Sequence, residues 1–351
     1  MNKIRFGLDP QTGTLSENDS KKYFSVIGFA VFAFMFISYG ASFGVSLLFS
    51  KLAPAILDND IFQSAASLIL QYGVAFPVAL AILRRLPKDT NPSEKMGFGK
   101  WIGGLCIAFT FMSVGNSVAQ FIIGLLEAAL GRAIENPIAS SISGKGVIVN
   151  LVFYVLLAPI IEELIFRKVM CDRLLPLGEG YAVLLSSLIF GLVHGNLYQF
   201  FYSFLTGLLF SAVYIKTGRI RYTVIYHMII NLLGGVVVPW AAGKLEPIMT
   251  EEMMARLAET LNTWDEAAVE ALSAELAPYM LPTLVLGAYN LVFSVLSIAG
   301  VIVLMSFLRK LKFREGLLPP AKEGRVANLF CNAGVATAIA GFAVIFVLSL
   351  L

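Results

Sequence analysis

The sequence predicts an all-α protein, a polytopic membrane bundle of about nine transmembrane helices with its N-terminus on the cytoplasmic side. Three observations lead there: the composition, a series of long apolar runs, and the uneven placement of Lys and Arg. Of 351 residues, 58% are hydrophobic and only 14% are charged. A soluble domain carries about 25% charged residues, and so few charges could not cover the surface of a soluble chain this long. A net charge of +3 is too small to argue for a polyanionic partner, so no nucleic-acid partner is expected. The three cysteines, Cys106, Cys171 and Cys331, lie far apart in or beside apolar segments and read as small packing residues.

Crossing a hydrocarbon core of ~30 Å takes roughly 20 apolar residues as helix. Nine segments qualify or come close: Tyr23–Phe49, Ile61–Leu83, Trp101–Leu126, Gly146–Phe166, Gly180–His194, Leu197–Ile215, Ile220–Trp240, Met280–Leu308 and Val326–Leu351. The first run is too long for the core of a cleaved signal peptide. With the N-terminus inside, 21 of the 26 Lys and Arg fall on inner connections, and five, Lys51, Arg132, Lys145, Lys244 and Arg256, fall outside. That is the asymmetry of the positive-inside rule. The expected location is a cell membrane, with the chain passing through it many times and contacting its lipids.

The chain divides into an N-terminal tail with three spans (1–145), a core (146–240), an acidic amphipathic outer loop (241–279) and two last spans (280–351). In that loop Thr250 and Thr263 are placed as N-caps, the second in the capping-box spacing Thr263-Trp264-Asp265-Glu266. The loop reads as two short helices, a solvated spacer or a gate for substrate. Gly40-Ala41-Ser42-Phe43-Gly44 forms a small-xxx-small face for helix packing.

Ionisable residues inside a membrane are functional candidates, since each costs at least ~2.5–3.5 kcal/mol to insert. Here they concentrate in three places: Glu162-Glu163-Leu164-Ile165-Phe166-Arg167; Phe190-Gly191-Leu192-Val193-His194; and His227-Met228-Ile229-Ile230-Asn231. His194 and His227 are the only two histidines. Apolar residues continue the fourth helix past Arg167 to Pro176, and a turn centred near Gly178 follows. Glu162 and His194 lie equally far from that turn, so an antiparallel hairpin places them at equal depth. Adjacent Glu162 and Glu163 are about 100° apart around the helix. Glu162 is assigned to the site, and Glu163 to an ion pair with Arg167 at i+4; the roles of the two carboxylates are interchangeable at this level. Carrying the helix past Arg167 and Lys168 calls for a water-filled cavity open to the cytoplasm.

Two arrangements suit such a set. Glu162 can act as general base on a water, with His and Asn donating to an oxyanion. Alternatively, Glu162, His194 and His227 can ligate zinc and leave a fourth position for water. Both are chemistry for peptide-bond hydrolysis. The first needs no cofactor and is preferred; zinc stays possible. Covalent catalysis lacks a serine or cysteine nucleophile in these motifs. A proton-coupled transporter, which also uses Glu and His, would usually show inverted repeats, and none is visible.

The three motifs, in this order, match EExxxR, FxxxH and HxxxN and resemble the CPBP family of CAAX proteases and bacteriocin-processing enzymes, also called the Abi family, over roughly Gly146–Gly235. The resemblance implies an all-helical intramembrane endopeptidase, related to type 2 CAAX prenyl endopeptidases, with a conical cavity facing the cytoplasm and a hydrophobic or lipidated peptide or protein as substrate. It implies Glu162 as the water-activating base and His194 as its partner at the catalytic water. His227 and Asn231 would stabilise the oxyanion, with Glu163 and Arg167 in support. It also leaves open a non-hydrolytic immunity or regulatory protein on the same fold.

Overall fold

The structure is a computed structural model describing residues 3–142 and 145–350; Leu351, the end of the last predicted run, lies outside them. Among the described residues the regular secondary structure is helical throughout. The membrane helices in chain order are α1 (Glu17–Leu52), α2 (Asp60–Leu83), α3 (Phe98–Leu130), α4 (Val147–Leu177), α5 (Glu179–Leu192), α6 (Leu197–Thr217) and α7 (Arg221–Ile248). The acidic loop folds as α8 (Glu251–Thr263) and α9 (Glu266–Leu276), and α10 (Met280–Lys310) and α11 (Ala333–Leu348) complete the chain. The protein is a multi-pass integral membrane protein of the all-α class.

Each of the nine predicted spans has a helix in its place, but seven reach the length and hydropathy of a span. The other two, α5 and α11, have 14 and 16 residues. At 1.5 Å per residue they extend only about 21 and 24 Å, short of the ~30 Å hydrocarbon core.

The connections predicted on one side of the membrane meet in one layer at one end of the bundle. Ile4 N–H donates to Arg85 O at 2.9 Å, Asp89 to Asp172 O at 2.8 Å, and Glu94 to Thr217 O at 2.8 Å. Glu179 donates to Arg314 O at 3.0 Å and Leu318 to Pro176 O at 2.7 Å. Five separate basic stretches are thereby tied together by backbone bonds, which connections on opposite sides of a membrane could not be. The α4–α5 turn is made at Gly178, whose φ of 129° is open to glycine and costly for any other residue.

Helix packing is closest where glycines meet backbone. A Cβ on Gly28 of α1 would lie 2.3 Å from the Gly334 carbonyl carbon of α11, and one on Gly300 of α10 would lie 2.1 Å from Cys106 O of α3. The predicted Gly40–Gly44 face is not used this way. Both glycines are exposed and have nothing within 4 Å of a Cβ; the close approach sits three turns earlier, where α11 returns. Cys106 and Cys171 are buried as expected, whereas Cys331 is exposed.

In the acidic loop, Thr250 caps α8 by accepting from Met253 N–H at 3.1 Å. The cap of α9 is Asp265 rather than Thr263. Trp264 adopts a left-handed conformation with φ 50° and ends α8, so Thr263 stays helical and donates to Glu259 O. Asp265 accepts from Ala267 and Ala268 N–H instead.

Three membrane helices share one irregularity. Phe76 N–H bonds Gln71 O, Ala158 N–H bonds Phe153 O, and Val238 N–H bonds Leu233 O, each five residues back. The next residue in each case is proline: Pro77, Pro159 and Pro239. Proline has no N–H, and its ring collides with the carbonyl four residues back. The helix widens into a π-turn before it, and the next carbonyl in that register is left without a helical partner.

Candidate active site

The three motifs come together on α4, α5 and α7 around a cavity of about 280 Å³ that Glu162, His194, His227 and Asn231 all line. Cross-hairpin contacts set the depths. Ser186 Oγ donates to Phe166 O at 2.7 Å, and the rings of Phe166 and Phe190 lie 5.1 Å apart. These pairs are centred within two residues of Gly178.

The two adjacent carboxylates point apart, as the helix requires. Glu163 is fully buried. Arg167, one turn on, donates to it from Nε at 3.0 Å and from Nη2 at 3.4 Å. Arg167 is also fully buried. Its Nη1 donates to Ser186 Oγ and Ser211 Oγ, both at 3.3 Å, and its guanidinium lies 4.8 Å from the Phe190 ring centroid. The water-filled cavity expected around Arg167 is therefore not needed, because protein groups satisfy the charge. Lys168 points outward and pairs with Asp172 at 3.2 Å.

Glu162 faces the cavity with 17% of its side chain exposed. Tyr72 of α2 donates to its Oε1 at 2.7 Å. His227 bridges the two carboxylates: Nδ1 is 3.3 Å from Glu163 Oε1, and Nε2 is 3.8 Å from Glu162 Oε2. A chain of contacts thus runs from Arg167 through Glu163 and His227 to Glu162.

His194 stands just past the end of α5. Its Nδ1 is 2.7 Å from the carbonyl oxygen of Phe190. A carbonyl only accepts, so Nδ1 carries the proton and Nε2 is left as the free nitrogen of the neutral ring. Phe190 also separates the two imidazoles, with centroids 5.1 Å from His194 and 5.8 Å from His227.

Asn231 has a partner that the sequence did not suggest. Its Nδ2 donates to Tyr154 O at 2.8 Å. That carbonyl is the one Pro159 cannot serve in the π-register, so Asn231 ties α7 to the irregular turn of α4. An amide nitrogen has two N–H groups, so one remains for the cavity.

Tyr72, Ser186 and Ser211 were invisible as site residues in the sequence. Tyr and Ser at apolar helix positions carry no signal of their own, and only the fold brings them to the motifs. Among the described residues no three His, Cys, Asp or Glu side chains are placed to hold a metal ion, and Glu162, His194 and His227 do not form such a set.

The cavity also does not open toward the basic end, as the resemblance together with an inside N-terminus implied. It continues into a second hollow of about 600 Å³ that shares His194, Tyr154 and Asn231 with it and reaches Ser42, Asn116 and Ser141, all three exposed. Toward the basic end the core is closed by buried Phe166, Arg167, Met170, Cys171, Leu174 and Phe210.

The family described as "Type II CAAX prenyl endopeptidase Rce1-like" matches residues 144–233, which hold all three motifs. The segment 144–233 is thus similar to the type II CAAX prenyl endopeptidases, the family group that the three motifs resemble. The chain is also 27% identical, over 213 residues, to a Bacillus subtilis (strain 168) protein named "Putative membrane peptidase YdiL". The match covers 58% of this chain and 85% of that relative. No solved structure matches the chain. The matched segment spans α4–α7 up to Leu233, so α1–α3, α10 and α11 lie outside it.

Proposed function

We propose that this membrane protein is an endopeptidase that hydrolyses peptide bonds in membrane-associated or lipidated peptides through a glutamate-activated water. The observation that carries this reading is the division of labour between the two carboxylates. Arg167 occupies Glu163, whereas Glu162 faces the cavity and is oriented by Tyr72.

In this mechanism a water lies between Glu162 and Nε2 of His194. Glu162 removes one proton, and the water oxygen forms a bond to the carbonyl carbon of the substrate. The C=O electron pair moves onto oxygen, to which the second Nδ2–H of Asn231 donates, together with the Nε2–H of His227 as an imidazolium whose Nδ1–H is held by Glu163. Donors placed in advance for developing charge are among the larger contributions to catalysis, about 10²–10³ in rate for one donor. Collapse of the intermediate breaks the C–N bond as Glu162 returns the proton to the leaving nitrogen. Glu163 and Arg167 are positioning residues, holding His227 by Nδ1. No step passes through a metal.

The test compares Glu162→Gln and His194→Ala with the unaltered protein in proteoliposomes, using a mixture of synthetic prenylated peptides and mass detection of the products. Both variants should keep their thermal unfolding midpoint and lose cleavage. Unchanged cleavage in both would refute the mechanism.

A further inference from the structure

The direction in which the cavity opens carries an inference that rests on the hydrolytic reading above. Three observations combine. The 21 Lys and Arg predicted on inner connections belong to stretches that the backbone bonds Ile4–Arg85, Asp89–Asp172, Glu94–Thr217 and Glu179–Arg314 draw to one end of the bundle. Positive charge of this kind stays in the cytoplasm. The opposite end is acidic: against its five Lys and Arg stand twelve Asp and Glu, eight of them between Glu246 and Glu275.

Second, among the described residues the core between the site and the basic end is closely packed. Phe166 and Phe210 are 3% and 1% exposed, Arg167, Cys171 and Leu174 are 0% exposed, and the Arg167–Glu163 pair fills the space between α4, α5 and α6. Polar groups in this plug are paired within the protein, so no water is called for there.

Third, the hollow beyond His194 runs the other way. His194 closes α5, whose 14 residues put it about 21 Å from the basic end. From there the hollow reaches Ser141 in the helix Pro137–Ile142, which connects α3 to α4 at the acidic end, and Ser42 in the last third of α1. Its rim residues Ser42, Asn116 and Ser141 are polar and exposed. Polar groups at membrane depth face water or protein rather than lipid.

We infer that the active-site cleft is entered from the extracytoplasmic side, and that its substrate class is the outer juxtamembrane segment of a membrane-anchored polypeptide. A segment still in the cytoplasm would meet the closed plug.

The experiment places single cysteines at Ser42 and Ser141 in a Cys331→Ser background and treats cells with a membrane-impermeant, charged methanethiosulfonate. Native Cys331, in the stretch between the basic connection and α11, serves as the control in the unaltered protein. S42C and S141C should gain the reagent's mass in intact cells, whereas Cys331 should gain it only after the cells are opened. Reaction of S42C and S141C only in opened cells, or no reaction at either position, would overturn the inference. Cleavage of the prenylated peptide mixture in detergent is measured on the same variants. Loss of sidedness with cleavage intact defeats this inference alone. Correct sidedness with no cleavage by the unaltered protein defeats the hydrolytic reading alone.

Discussion

Replacing Arg167 by alanine tests the buried pair most directly. Glu163 and Arg167 are both fully buried, with Nε and Oε2 3.0 Å apart. At an effective dielectric of about 20, two unit charges at that distance attract by about 5.5 kcal/mol. Desolvation of both ions offsets much of this in the intact pair, but removing one partner leaves the other charge buried and unmatched, at a cost of roughly 3–5 kcal/mol. Arg167→Ala also deletes the donors to Ser186 and Ser211 and the contact over Phe190. The unfolding midpoint in detergent should fall by on the order of 10 °C. A thiol-reactive dye reads this well, because Cys106 and Cys171 are buried in the folded chain. Glu163→Gln keeps an oxygen that accepts from Nε and should cost less. The double variant Glu163→Gln/Arg167→Met removes both charges and should regain part of the loss. An Arg167→Ala midpoint equal to that of the unaltered protein would refute the reasoning, as would a double variant less stable than the sum of the two single ones.

Other perturbations separate the roles in the site. Tyr72→Phe removes a hydrogen bond to a carboxylate, a contact of about 1.5–3 kcal/mol; kcat/KM on the peptide mixture should drop at least about tenfold, with a fall in unfolding midpoint smaller than that of Arg167→Ala. Asn231→Ala removes an N–H facing the cavity and the bond to Tyr154 O, so kcat should fall about 10²-fold, with a small loss of stability seen in the same dye assay. Extended dialysis against a metal chelator should leave cleavage unchanged, as expected of a carboxylate-activated water; loss of cleavage restored by zinc would point to the metal alternative.

What was legible in the sequence was short-range. The splitting of Glu162 from Glu163, the i+4 pair to Arg167 and the turn at Gly178 all depend on separations of a few residues within one helix, and they appear in the structure as read. Thr263 shows the limit even there, because the left-handed Trp264 moved the cap by two residues. The positive-charge asymmetry also survived, since it depends on counts rather than on geometry. Relations between helices were not legible. Tyr72 reaches Glu162 across 90 positions, and nothing in its apolar surroundings distinguishes it from a packing residue.

The three prolines explain part of that gap and connect the fold to the site. A π-turn adds one residue and rotates everything beyond it by about 100°, so a helical wheel drawn across Pro77, Pro159 or Pro239 assigns the wrong face. Each of these turns lies in a helix that lines the cavity: α2 with Tyr72, α4 with Tyr154 and Glu162, and α7 with Asn231. A regular helix would present the cavity with a closed ladder of backbone bonds. The widened turn before Pro159 instead frees the Tyr154 carbonyl, and Asn231 takes it at 2.8 Å. The last residue of HxxxN is therefore fixed by the backbone defect that lies just ahead of EExxxR. By withholding one N–H, Pro159 leaves the Tyr154 carbonyl to Asn231, and that one bond ties α4 to α7 beside the cavity that Glu162 lines.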